Sequence, residues 1–180
     1  APVVLDLENS TLEDLTQVLT GADLAVFAAG AGPGSSIERK DSVDRAGAVL
    51  LAEAAEAAGV GRLIQVSSAG TDSVIGGARP EGLQDGMYAY LVAKRAAEED
   101  LMARTDLDWT ILRPGTLTNG DPVGLVELAP EVAPSTVPRR DVAAVLAELA
   151  KTGRGSGQVL GLVTGTDPIP DAVAALPVAL

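Results

Sequence analysis

Tyr90 and Lys94 stand four residues apart in Tyr90-Leu91-Val92-Ala93-Lys94, the spacing that sets two side chains on one face of a helix. An ammonium beside a phenol favours the phenolate, drawing the phenol pKa from about 10 toward a working pH and making it a usable proton donor and acceptor. Upstream, an apolar run ends in Ser67-Ser68-Ala69-Gly70. A hydroxyl at the C-terminal edge of a strand can hold a carbonyl or hydroxyl group, and that edge is where open α/β sheets bind ligands. Either Ser67 or Ser68 fits the role. The plain alternative is a Tyr90 that only packs and a Lys94 that is only solvated. The chain has no His and no Cys, which excludes an imidazole base, a Ser-His-Asp triad, thiolate chemistry and disulfides, and most transition-metal sites. No metal is expected, and proton transfer falls to Tyr, Lys, Asp or Glu.

The elements that must position these residues alternate. Val3–Leu7 reads as a short strand, and Ser10-Thr11-Leu12-Glu13 as a capping box opening a helix that Gly21 ends. Leu24–Ala29 is a continuous apolar run, as a buried parallel strand should be, and leads into the loop Gly30-Ala31-Gly32-Pro33-Gly34. Val43, Ala46, Val49, Leu50, Ala54 and Ala57 recur at helical spacing over 41–58. Leu63–Ser67 is the next strand, 70–86 a long polar loop of functional length, and Tyr88–Arg104 a helix. Trp109–Leu112 is a strand followed by Arg113-Pro114-Gly115. Region 116–138 carries scattered Gly and Pro and only short elements. A helix over 141–151, a strand over 159–163 and a short helix over 171–176 complete the chain. This alternation predicts an α/β fold, a doubly wound parallel sheet with helices on both faces, in a single domain.

Composition agrees. Hydrophobic residues make up 47% of the 180, yet there are only one Trp, two Tyr and one Phe, so the core is built from Ala, Val and Leu, Val suiting strands and Ala close helix–sheet packing. The formal net charge of −12 repels a phosphate backbone and disfavours nucleic acid as a partner. No secretory signal and no apolar run of membrane-spanning length is visible, so the expected setting is cytoplasmic, with no membrane partner and a small molecule as substrate.

Val26-Phe27-Ala28-Ala29-Gly30, Gln65-Val66-Ser67-Ser68-Ala69-Gly70, Tyr90-Leu91-Val92-Ala93-Lys94, Trp109-Thr110-Ile111-Leu112-Arg113-Pro114-Gly115 and Arg140-Asp141-Val142-Ala143 together resemble the atypical short-chain dehydrogenase/reductases. They look most like the NAD(P)H-binding subgroup related to NmrA-like and biliverdin-reductase-B-like proteins. The resemblance runs the length of the chain in the family's order; R-P-G after a strand and the late R-D-V-A are its most specific signals. It implies NADP or NAD as cofactor. Asp6 would touch the adenine, and Ala28, Ala29 and Gly30 would line the adenosine ribose side. Ser67 or Ser68 would be the active-site hydroxyl, Tyr90 the proton donor and Lys94 the ligand of the nicotinamide ribose. Pro114, Gly115, Thr116 and Leu117 would run beside the nicotinamide. Arg113 and Asp141 have an equal claim to simple pairing or helix capping.

The departure from the family concerns the pyrophosphate. The family opens on strand, G-x-x-G-x-x-G and helix, whose backbone N–H groups hold the phosphates; here the chain opens at what resembles the third strand, without the first two. Gly30–Gly34 lacks the spacing, and Pro33 removes one N–H, so it is read as a surface loop. In a sheet ordered 3-2-1-4-5-6 the Leu24–Ala29 strand would then present a bare apolar edge, a surface through which copies can self-associate. Three readings follow: an NAD(P)-dependent oxidoreductase moving a hydride to or from a small carbonyl or hydroxyl compound, a non-catalytic NAD(P) sensor, or a remnant with little cofactor affinity.

Overall fold

Thr11, not Ser10, opens the first helix of the structure, a computed structural model that describes residues 2–177. The Thr11 hydroxyl accepts from the Asp14 backbone N–H while the Asp14 carboxylate accepts from the Thr11 N–H at 2.8 Å, a reciprocal cap that satisfies two otherwise orphaned donors. The expected box is therefore present one residue later, with Asp in place of Glu. Contacts gather the chain into two compact units, one of residues through Gln65 together with Gly70–Asp108, the other of Val66–Ala69 together with the chain from Trp109.

In the first unit α1 (Leu12–Leu19) lies against α3 (Gly47–Ala58). Strand β1 (Ala25–Phe27) pairs in parallel with β2 (Arg62–Val66), Ala25 opposite Leu63 and Phe27 opposite Gln65. Helix α4 (Asp85–Ala103) carries the Tyr90–Lys94 segment. The short helix α2 (Ile37–Arg39) runs into a π-helical stretch, Lys40–Ala46, and that into α3, so the single helix expected over 41–58 begins with a widened turn; Gly47 N–H bonds Ser42 O, five residues back. Gly59, at φ +72°, closes α3 in the left-handed conformation that favours glycine. Phe27, Ala48 and Ala97 form a buried cluster on which Leu7, Ala29 and Leu51 pack.

The strand expected at Val3–Leu7 does not form. A strand is held by hydrogen bonds to a neighbour, and none of the described residues pairs with this segment; Val4 is 97% exposed and only Leu7 turns inward. Val26, on β1, is half exposed. The polar stretch after Gly70 holds a 3₁₀ segment, Thr71–Gly77, before a loop leads into α4.

In the second unit β3 (Asp108–Pro114) and β7 (Gln158–Thr164) pair in parallel, as do β4 (Thr116–Thr118) and β6 (Thr136–Pro138). Strand β5 (Leu125–Ala129) runs antiparallel to both β7 and the two-residue β8 (Asp167–Pro168); this antiparallel border lies where Gly and Pro hid the pattern. Helices α5 (Arg139–Thr152) and α6 (Ile169–Ala174) pack together, and Ile111, Leu112, Val145, Leu149, Leu160 and Leu162 make a core with no solvent exposure. No helix among the described residues is long and apolar enough to cross a membrane.

Candidate active site

Lys94 lies on the inward face of α4, and its chemistry is set by what it meets there. Its ammonium stands 3.1 Å from Asp44 Oδ1, with side chains 5% and 1% exposed, and donates to the Ala29 carbonyl at 3.4 Å. It sits 5.5 Å from the Phe27 ring centre and 5.9 Å from that of Tyr90, within the range where a ring face attracts a cation. Burial pushes the Lys94 ammonium below the ordinary lysine range, while the Asp44 carboxylate and then Glu98 draw it back. Tyr90 is half-buried one turn earlier on the same helix. Lys94 is thus buried rather than solvated, and it lies near the ring of Tyr90.

Two acidic residues that the sequence reading passed over complete this group. Asp44 comes from the π-helical stretch; its second oxygen accepts the Ala31 N–H at 3.2 Å. Glu98, wholly buried, accepts from Thr71 Oγ1 at 3.2 Å and faces Arg95 at 3.7 Å. Both signals were present in the sequence. Glu98 extends Tyr90 and Lys94 at the same four-residue interval, and Asp44 lies in line with the buried Ala48, Ala52 and Ala55, where a charge has no place unless it is paired.

Ala28 and Gly30 are exposed and Ala29 half-buried at the end of β1. Small residues there leave room for a flat ring or sugar beside Lys94, and an ammonium with a phenol is the donor set that a ribose and a reacting carbonyl require, so these residues fit a nicotinamide dinucleotide. The Gly30–Gly34 loop is exposed at each glycine and at Pro33, as a surface loop should be. Asp6 is exposed and occupied locally: its carboxylate accepts from the Glu8 backbone N–H at 3.0 Å and from the Asn9 side chain at 2.7 Å. These bonds, that to Asn9 first, hold its pKa below the usual carboxylate range.

The second unit holds the remaining expected residues. Ser67 is buried, and its Oγ has no hydrogen-bond partner among the described residues. Ser68 is half-buried, and its hydroxyl donates to the Ala69 carbonyl at 3.1 Å. Pro114 is buried, Gly115 half-buried, and Thr116 and Leu117 exposed, so only the last two of that run offer side chains at a surface. Asp141 is fully engaged in structure. Buried at the start of α5, it accepts the backbone N–H groups of Val123 at 2.8 Å and Gly124 at 3.1 Å, which explains the aspartate of R-D-V-A as a loop anchor. No cluster of metal-ligating side chains occurs among the described residues.

Comparison with known proteins meets this geometry from outside. A family model described as NAD(P)H-binding matches residues 1–152. The chain belongs to that NAD(P)H-binding family. It is 30% identical over 174 residues to YhfK of Bacillus subtilis, called an uncharacterised sugar epimerase, covering 97% of this chain and 78% of that one. Among solved structures it is similar to a Bacillus halodurans protein provisionally assigned as an NAD-dependent epimerase/dehydratase (35% identity, TM-score 0.84, 97% of this chain and 77% of that one). It is also similar to the oxidoreductase ylbE of Lactococcus lactis (32% identity, TM-score 0.80, 97% and 76%). The family and these structures place the chain among the atypical short-chain dehydrogenase/reductases, and its α/β fold with mostly parallel strands is of the Rossmann type.

Proposed function

We propose that the protein is an oxidoreductase or epimerase that uses a nicotinamide dinucleotide on a small carbonyl or hydroxyl compound. The observation that carries this reading is the buried Lys94 ammonium, ion-paired to Asp44 and one helical turn from Tyr90. The names of the relatives, a sugar epimerase, an epimerase/dehydratase and an oxidoreductase, support the same broad class of chemistry.

Lys94, with Ala28, Ala29 and Gly30, would hold a nicotinamide dinucleotide, which would supply hydride chemistry for a carbonyl or alcohol carbon. Tyr90 gives its phenolic proton to the carbonyl oxygen as that oxygen becomes an alkoxide, and the phenolate recovers a proton from solvent. In the reverse direction the phenolate takes the proton of the alcohol. Lys94 keeps positive charge beside the phenol, so that the phenolate costs less to form, and binds the ribose hydroxyls. Ala28, Ala29 and Gly30 line the adenosine side.

Turnover of NADPH or NADH with a panel of small aldehydes, ketones and keto-sugars tests this reading. Tyr90→Phe is expected to lower kcat by about a hundredfold or more, the usual worth of a positioned acid, with little change in cofactor affinity. Full activity in Tyr90→Phe would contradict the assignment, and saturable cofactor binding with no turnover on any substrate would favour a non-catalytic sensor.

A further inference from the structure

Lys40 is a second buried lysine, and unlike Lys94 it pairs with no carboxylate among the described residues. It is 8% exposed, at the start of the π-helical stretch. Its ammonium donates to the Ser35 carbonyl at 2.7 Å and to Ser35 Oγ at 2.8 Å. An ammonium has three N–H donors, and the third meets no acceptor among the described residues. The acidic side chains around this stretch are engaged elsewhere. Glu8 takes Arg39 and Ser42, and Asp41 takes Arg45. Glu38 turns to its own N–H and to Ser36, and Asp44 to Lys94 and the Ala31 N–H. A cation moved from water into neutral surroundings loses solvation that an opposite charge would return. Lys40 is therefore one negative charge short.

Ser35 ties this ammonium to the glycine-rich loop. Its Oγ accepts from Lys40 and donates to the Gly32 carbonyl at 2.8 Å. Gly32 and Gly34 hold φ of +83° and +77°, and their N–H groups donate to none of the described residues. A Cβ at either position would meet nothing within 4 Å, so this surface is open to a ligand. Residues 24–37 carry no charged side chain, whereas the chain as a whole has a net charge of −12. An anion is spared here the repulsion it meets elsewhere on the molecule. Free backbone N–H groups beside a lysine are the donor set that takes a phosphate: the amides give directed hydrogen bonds, and the ammonium a compact point charge.

We propose that Lys40 and the loop from Gly32 to Ser35 form a site for a phosphate group, with the Gly32 and Gly34 N–H groups as donors and Lys40 as the counter-charge. The site stands apart from the proposed function. Only the source of its phosphate, a dinucleotide or a phosphorylated substrate, depends on that reading.

Inorganic phosphate is the probe, titrated into the whole, cofactor-free chain at constant ionic strength while amide NMR shifts are followed. The Gly32 and Gly34 amides are expected to move saturably, and those of Gly124 and Gly157, in other loops, to stay. Lys40→Gln keeps a donor for the Ser35 carbonyl and removes the charge. It is expected to weaken phosphate binding about tenfold or more, as loss of a charged hydrogen bond implies. Unmoved Gly32 and Gly34 amides in the wild type would overturn the proposal whether or not Lys40→Gln folds, and equal phosphate affinity in Lys40→Gln would overturn it too. A titration with NADH separates the sources. If the dinucleotide supplies the phosphate, phosphate competes with NADH and Lys40→Gln binds NADH more weakly. If the substrate supplies it, NADH affinity is unchanged and both amides still answer to phosphate in the NADH-loaded chain. Absence of NADH binding in the wild type would sink the proposed function and leave the phosphate titration to judge this site.

Discussion

Lys94 gives up nearly all its solvent on folding and receives Asp44 in exchange. Because burial holds its folded pKa below the ordinary lysine value, the unfolded chain binds this proton more tightly. Stability therefore rises with pH between the folded midpoint and the ordinary one, and the cost of burying the ammonium is carried in full below that window. Lys94→Met relieves that cost but leaves the Asp44 carboxylate buried without its partner. We expect the single variant to lose roughly 3–5 kcal/mol in urea denaturation and the Asp44→Asn/Lys94→Met double variant to recover most of it; a double variant less stable than both singles would mean the pair is not a unit. At this scale the sequence was half legible. Tyr90 and Lys94 declare themselves by their four-residue interval on one helix. Asp44 is fifty residues from Lys94, and nothing in a local pattern joins them.

Among the elements, those with a clean period were read well and those resting on a distant partner were not. Helices α3 and α5 carry apolar stripes ended by Gly59 and Gly153 in left-handed conformation, and both were expected within a few residues, although the π-helical entry to α3 leaves no mark on the stripe. Val3–Leu7 has the composition of a strand and lacks a hydrogen-bonding neighbour among the described residues; composition alone cannot make one. The short β4, β5 and β6 were masked by Gly and Pro. R-P-G, one of the most specific motifs, has a local cause at its glycine. A Cβ on Gly115 would collide with the Ser135 carbonyl oxygen and approach Val163 Cγ1 to 2.9 Å, and Gly115 N–H bonds the Leu162 carbonyl. Gly115→Ala is expected to cost about 1–3 kcal/mol by overpacking, read as a lower denaturant midpoint at unchanged slope. An unchanged midpoint would show that Ser135 yields freely and that the glycine is kept for another reason.

For the molecule as a whole, composition narrowed the chemistry before any fold was in hand. Without His or Cys a phenol and an ammonium remained the best proton-handling pair, and alternating elements placed them on an α/β sheet protein, as the family match agrees. Substrate identity was not legible, because it depends on which side chains converge from separate elements rather than on any one stretch of sequence. Nicotinamide dinucleotide binding beside Lys94 is the property on which the proposed activity depends. Its most direct test is titration of the chain with NADPH and with NADH, followed by the fluorescence of the reduced nicotinamide, in the wild type and in Lys94→Met. Saturable binding of at least one of them is expected, with about tenfold or greater weakening in Lys94→Met, the size that follows when a charged hydrogen bond of roughly 1.5–3 kcal/mol is lost. No saturation with either dinucleotide, or equal affinity in Lys94→Met, would contradict it.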